Sequence, residues 1–358
     1  HQPADFNWNS RRLGRVVTTV DALNASRTTS YDAFDRVLTQ RDALNNTTSY
    51  SYNTANRSTT VTTPEGVTMT TVRTRQGQTQ SVTDGRGNTT SYSYDKSGNL
   101  LQTSAPLGAA TVTTGSTYDK TGLVLTSTDA NGVVTNYAYD AVNRLLTRAV
   151  DPTGLNLVTT YGYDAKGQTV SVTDARGVVT ATEYDLNGQL VRQAVDPTGL
   201  NLVTTYAYDT TGQVLRVTTP NGSVTQYTYD GAGRRVKEQV DPEGLNLTRS
   251  YEYDAADNLT RSSDANGNAT RYAYDANNRR VFTLDALGNL SKQEYDAEGR
   301  VIRLTSYAAP IDTTGLGNAP TVAQIQAKVV VTAGSDVTES RRYDRDGRLS
   351  FSVDGTGA

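Results

Sequence analysis

The groups able to do acid–base or metal chemistry in this chain are its carboxylates, and they are everywhere. Asp and Glu number 37, while His1 is the only histidine and cysteine is absent. Paired carboxylates can act as general acid and base, or hold calcium. Here aspartate stands after tyrosine, or at the head of an Asp-x-x-Gly string, along nearly the whole chain. A group present at a dozen equivalent places is not a unique catalytic centre; its expected role is to accept backbone hydrogen bonds in turns. One terminal histidine leaves no Ser-His-Asp or Cys-His catalysis. The glycine-dense calcium repeat, the EF-hand spacing and a Gly-x-x-x-x-Gly-Lys phosphate loop are all missing. The expectation is no enzyme, no catalytic residue, no metal and no cofactor.

The elements that position these aspartates are set by a period. Tyr-Asp begins at Tyr31, Tyr94, Tyr118, Tyr139, Tyr163, Tyr184, Tyr208, Tyr229, Tyr253, Tyr274 and Tyr295, mostly 21 or 24 residues apart, and returns at Tyr343 after 48. Tyr52-Asn53 is a near-copy, and Arg73 stands where the next tyrosine is due, marking a degenerate, tolerant unit. A period of this length means one small structural unit, stacked. In the unit Val133 to Gly154, Val133–Tyr139 is β-branched and aromatic, with Tyr137 and Tyr139 on one face and Val134, Asn136 and Ala138 on the other. Asp140–Asn143 is a turn, and Arg144–Val150 returns. Four places after tyrosine, sister copies carry Gly98, Gly122, Gly167, Gly188, Gly212, Gly233 and Gly299, which supply the positive φ of a tight hairpin.

Opposite turns alternate in length. Short Asp-x-x-Gly turns (Asp129, Asp174, Asp264) alternate with Asp-Pro-x-Gly-Leu-Asn-Leu loops at Asp151, Asp196 and Asp241, spaced by 45 residues. Neither strand face is continuously oily, so a dry-cored sandwich is excluded and a single curved wall glued by tyrosine columns is expected. Roughly 28 strands at about 4.8 Å would span about 130 Å and close at a radius of roughly 20 Å, wide enough for a small protein.

Composition agrees. Only 35% of residues are hydrophobic, and tyrosine accounts for 22 aromatics against four Phe and one Trp; mean hydropathy is −0.55. Net charge is −3 with scattered Arg, so no nucleic-acid partner is expected. No apolar run is long enough for a membrane-spanning helix. Asn-x-Ser/Thr triplets such as Asn88-Thr89-Thr90 follow from composition. The chain opens at His1-Gln2-Pro3 without Met or signal peptide, and is read as an excerpt of a longer polypeptide.

At Tyr227-Thr228-Tyr229-Asp230-Gly231-Ala232-Gly233-Arg234 and Tyr343-Asp344-Arg345-Asp346-Gly347-Arg348-Leu349 the chain resembles the Rhs/YD-repeat family, over roughly residues 15–355. The resemblance implies an all-β repeat array of antiparallel hairpins forming a curved, spiralling hollow shell or tube. The family includes bacterial polymorphic toxins, toxin-complex components and teneurin-like surface proteins. It implies a secreted or cell-surface location, with cytoplasmic storage before export, and, in toxin members, an enclosed C-terminal effector of the same polypeptide. Toxin members cleave themselves at Asp-Pro-x-Gly-Leu; three internal copies here read as repeat turns, since cutting each would dismantle the wall. Sugar binding is attributed to parts of the family, but the tyrosines here read first as glue between hairpins.

Three segments follow: an array over 1–303, an insertion over 304–340 and a final hairpin over 341–358. In the insertion, Thr321-Val322-Ala323-Gln324 is a capping box, and Val322, Ile325 and Val329 fall at helical spacing, predicting a short helix over about 321–329. It is expected to pack on the wall; the alternative is a plug or a dock for cargo or a neighbouring module. The leading function is a non-enzymatic wall enclosing an effector. The alternatives are an adhesion or filament module that assembles with neighbouring shell modules or copies of itself, and a glycan-binding surface.

Overall fold

The computed structural model describes residues 16–355 apart from Ala22 and Ala333. His1-Gln2-Pro3 and the last residues, Thr356–Ala358, lie outside the described residues. The fold is all-β: among the described residues 29 antiparallel strands, from β1 (Val16–Val20) to β29 (Leu349–Val353), form one unclosed sheet with a single short helix, α1 (Val322–Gln326). Consecutive strands pair with one another, so the connections are hairpin turns except between Ser306 and Val337, where an insertion intervenes. β-branched and tyrosine-rich runs of five to nine residues, cut by Asp-headed turns, leave the chain no other pairing that satisfies its backbone.

Strands β12 (Val134–Tyr139), β13 (Leu145–Val150) and β14 (Leu157–Tyr163) show the register. Thr135 faces Val150 and Ala138 faces Thr147; the register then slips and Tyr139 faces Leu145. Next door, the β13–β14 ladder runs from Val150↔Leu157 only to Thr147↔Thr160. Leu145 therefore lies beyond its second ladder, and the hairpins splay at the Tyr-Asp edge.

The wall is wet on both faces. Its accessible surface is 22437 Å², whereas a compact chain of 38.5 kDa exposes about 14,000 Å². The difference is too large for a globule with a central core. Among the described residues eight hydrophobic side chains are buried, and six of them sit in one cluster.

That cluster lies under the insertion. Strands β24 (Ala269–Tyr274), β25 (Arg280–Leu284) and β26 (Leu290–Tyr295) turn Ala273, Phe282, Leu284 and Leu290 to one face, where Ile311 and Ile325 cover them. The insertion leaves the sheet after β27 (Val301–Ser306) and rejoins it at β28 (Val337–Tyr343). Its helix is shorter than the capping box and spacing predict. Thr321 caps it as expected, with Gln324 completing the box, but Lys328 and Val329 bond three residues back, to Ile325 and Gln326, and tighten the last turn. Val329 still packs on the cluster.

The wall meets itself. The turn after β1 touches the turn after β24 through Asp21 and Asn277. The turn between β3 (Val37–Arg41) and β4 (Thr47–Asn53) touches the turn after β26 through Ala43 and Glu298. The turn between β5 (Ser58–Thr62) and β6 (Thr68–Arg73) touches the turn after β28 through Thr63 and Asp346. Strand 1 to 24, 3 to 26 and 5 to 28 is a constant offset of 23. The circuit is therefore shorter than the sequence estimate: about 110 Å at 4.8 Å per strand, or a radius of at least about 18 Å, since strand tilt only lengthens it. The remaining strands begin a second, overlapping turn.

Candidate functional site: the tyrosine–aspartate edge

One edge of the wall carries the Tyr-Asp turns. The aspartate organises each. In Asp140–Arg144, Oδ1 accepts from the backbone N–H of Val142 (3.0 Å) and Arg144 (2.9 Å), while Oδ2 accepts from Arg144 Nε at 2.7 Å. The Asp140 carbonyl takes the N–H of Asn143 at 3.0 Å. Asn143 adopts φ +69°, and the seven glycines singled out by sequence sit at the equivalent place with φ between +81° and +93°. Three N–H groups converging on one aspartate hold the anion firmly. The backbone N–H of Arg144 is the largest cause of an Asp140 carboxyl held below its ordinary range, with burial opposing and the guanidinium adding to it. At Asp95, and at Asp84 and Asp264 on the opposite edge, the side chain of the asparagine four places on is the largest cause.

The tyrosine closes the splay. Tyr163 Oη donates to the Leu145 carbonyl at 2.8 Å, the group left beyond the β13–β14 ladder. The same bond to the strand opening the previous return is made by Tyr52, Tyr94, Tyr118, Tyr139, Tyr184 and Tyr208. Tyr229, Tyr253, Tyr274, Tyr295 and Tyr343 make it too. Tyr31 ends β2 (Ser26–Tyr31), half-buried, after the same register slip. Burial of the ring raises the phenol pKa of Tyr139, Tyr208, Tyr229, Tyr274 and Tyr295.

The residue four places after the aspartate is a part that sequence reading did not assign. Arg144 bonds its own Asp140, lies 4.7 Å over the Tyr163 ring and donates Nη1 to the Asp164 carbonyl at 3.2 Å in the next turn. Arg234 over Tyr253, Arg279 over Tyr295 and Arg300 over Tyr343 repeat the stacking. Where Gln replaces Arg, its Nε2 reaches the next turn's glycine carbonyl, as in Gln168 to Gly188 at 3.1 Å. The signal was the Arg of the Gly-Arg-Leu ending, visible but given no partner.

The degenerate unit differs in a compensated way. Asn53 closes a turn without a register slip, with Asn53 facing Ser58. Here the β5–β6 ladder runs on through Ser58↔Val72, and Arg73 N–H bonds the Arg57 carbonyl at 3.1 Å. The backbone itself fills the gap a tyrosine bridges elsewhere, and Arg73 instead donates Nη1 to the Gly77 carbonyl of its own turn at 3.0 Å.

The opposite edge carries the other turns. In the Asp151 loop, Asp151 takes φ +51°, its carbonyl accepts from Gly154 and Asn156, and Oδ2 accepts from Leu155 at 2.8 Å. A Cβ on Gly154 would stand 2.2 Å from Asp151 Oδ2, which explains that glycine by close approach. Asp196 and Asp241 repeat the arrangement. Among the described residues no three Asp, Glu, His or Cys side chains gather to hold a metal ion, and no helix is long and apolar enough to cross a membrane.

Sequential hairpins locked by one Tyr-Asp turn per repeat define a β-hairpin repeat wall. The chain belongs to the RHS Repeat family, whose signature matches residues 31–68, 74–110, 118–156, 146–179, 163–200, 184–223, 208–245 and 253–284. No curated protein matches it. Among solved structures, the crystal structure of TcdB2-TccC3-Cdc42 aligns over 93% of this chain and 22% of its own, with TM-score 0.58 and 16% identity. The crystal structure of TcdB2-TccC3-TEV aligns over 92% of this chain and 22% of its own, at TM-score 0.57 and 17% identity. The chain thus spans about a fifth of those proteins, and identity this low establishes the shared fold alone.

Proposed function

We propose that this chain is a non-enzymatic wall segment of a hollow shell that keeps an effector domain of a large bacterial secreted or surface protein away from solvent, proteases and targets. A structural shell role follows from the family and fold. Enclosure of cargo is supported by one observation above others: the sheet returns to touch itself after 23 strands while both faces stay hydrated. A wall that only presented a surface would have no need to meet itself. The tyrosines, turn aspartates and turn glycines are structural parts of that wall. The Asp-Pro-x-Gly-Leu loops stay uncleaved in this reading, because each carboxylate is engaged as a turn acceptor.

The test is protease protection. The chain is expressed together with the sequence that follows it in the natural gene, and digestion of that following segment is compared with the segment alone. Protection by at least about tenfold is expected where access requires opening of the shell. Equal digestion rates would remove the enclosure reading. A filament or adhesion role is favoured by a different observation: among the described residues, β1 and β29 each pair on one side only. Negative-stain images distinguish the two, hollow particles against long fibres.

A further inference from the structure

Three contacts where the wall overlaps itself share a rule, while a fourth, Glu65 Oε1 accepting from the Arg345 N–H at 2.7 Å, runs the other way. Asn277 Nδ2 donates to Asp21 Oδ2 at 3.0 Å. Glu298 accepts from the Ala43 N–H at 2.5 Å and from Arg27 Nη2 at 2.8 Å. Asp346 accepts from the Glu65 N–H at 3.0 Å and from Thr63 Oγ1 at 2.9 Å. Each reaching residue stands second after its turn aspartate, at Asp275, Asp296 and Asp344. In the hairpins before Asp275 that place holds apolar, hydroxyl, basic or amide side chains, among them Phe34, Thr121, Lys166 and Ala256, and never an acid. Acids appear there only in hairpins that lie on a previous turn of the wall.

The receiving side explains why an acid is suited. Asp42 Oδ1 takes the N–H of Leu44 and Asn46, and its carbonyl takes that of Asn45, leaving the Ala43 N–H as the donor not used within the turn. Around it Arg27, Arg41, Arg300 and Arg345 line a cavity of about 600 Å³, with Asp42, Glu298 and Asp346 the acids among them. Arg300 is held by Asp296 at 2.7 Å and Arg345 lies 3.9 Å from Glu65, so removing the two reaching acids takes from Arg27 the carboxylate that pairs it across the seam. A hydrogen bond to a charged acceptor is roughly twice as strong as one between neutral groups.

We propose that an acidic side chain two residues after the Tyr-Asp aspartate is the element that fixes where the wall seats on itself, and that Glu298 and Asp346 thereby set the circumference at the observed strand offset. The surface they recognise is an outward N–H of a turn on the opposite edge, one circuit earlier: that of Ala43 in the Asp42 turn for Glu298, and that of Glu65 in the Thr63 turn for Asp346. This holds whether or not the shell carries cargo.

The experiment is hydrogen exchange on the intact chain and on its Glu298→Ala/Asp346→Ala variant. Alanine is native at this place in the Asp230 and Asp254 turns, so the substituted turns can still form. Exchange at the Ala43 and Glu65 amides should quicken by about fivefold or more, with the Val142 amide of the Asp140 turn unchanged. As a second readout, the cysteine-free chain allows an Asp21→Cys/Asn277→Cys pair to be bridged by a short bis-maleimide. Bridging is expected in the otherwise unaltered chain, and its yield should fall by about fivefold or more on adding the two alanines. Unchanged exchange and unchanged bridging in the alanine variant would overturn the assignment, as would failure of the parent pair to bridge at all.

Discussion

Most of the wall and the patch beneath the insertion are built from the same hairpin, yet they are held by different forces. Counting from the turn aspartate, the places of Phe282 and Leu284 are held by Thr126 and Thr128 in one hairpin, Arg216 and Thr218 in another, and Arg261 and Ser263 in a third. Those hairpins keep that face wet and rely on ladders, aspartate-anchored turns and tyrosine hydroxyls. In β25 the same places are apolar and fully buried, and helix α1 closes over them. The insertion therefore adds a conventional dry core to one short stretch of a structure otherwise lacking one. Two substitutions of side chain on an unchanged backbone separate a wall that faces water from a wall that holds a partner segment.

Acid should divide the two regions most clearly, because it acts on every turn at once. The turn carboxyls of Asp84, Asp95, Asp140 and Asp230 lie below the ordinary value of 3.8. Their contribution is complete above that value and fades as pH falls through the depressed folded values, below about pH 4. Hydrogen exchange followed down in pH should show Tyr-Asp turns opening before the Phe282 cluster; simultaneous opening would mean the turns are not what acid attacks. The phenols run the other way: raised by burial, they favour the neutral ring, so stability is lost above about pH 10.

Phe282→Ala comes next, at about 3–5 kcal/mol for a large aromatic removed from a packed site. Limited proteolysis should then cut within residues 307–330 while the rest of the wall keeps its protection. A variant whose whole wall unravels would show that the two regions are one cooperative unit. A smaller loss, about 0.5–1.5 kcal/mol, is expected for Tyr163→Phe, which leaves the Leu145 carbonyl without its hydroxyl while retaining the ring under Arg144. Chemical denaturation and exchange near Leu145 would report it. Smallest of all is Arg73→Tyr, within about 0.5 kcal/mol, because the backbone already bridges that gap; a gain comparable to the Tyr163 loss would contradict this account.

The hairpins, their turns and the alternation of short and long loops could be read from the chain alone, since Asp140, Asn143 and Tyr139 act within one or two repeats. The helix over the patch was visible through Thr321, Gln324 and Ile325, but its length was not. Nothing in the local spacing showed that Lys328 and Val329 would tighten into three-residue bonds. The matching signal in the sheet, Phe282 and Leu284 at places that most other repeats fill with polar residues or alanine, was present and went unread. Arg144 was likewise visible as part of a motif, but its stacking on Tyr163 depends on which strand lies next to which.

By itself the sequence determined the unit: a period near 21 residues, an aspartate whose carboxylate closes its own turn, and a tyrosine spaced to reach the preceding strand. These bonds join residues no more than a repeat or two apart, so spacing specifies them. Tertiary structure alone decided the circumference and the seam. The twist between neighbouring strands is small and accumulates over 23 of them, and Glu298 finds Ala43 from 255 residues away, a partner that the acid two places after Asp296 does not name by itself.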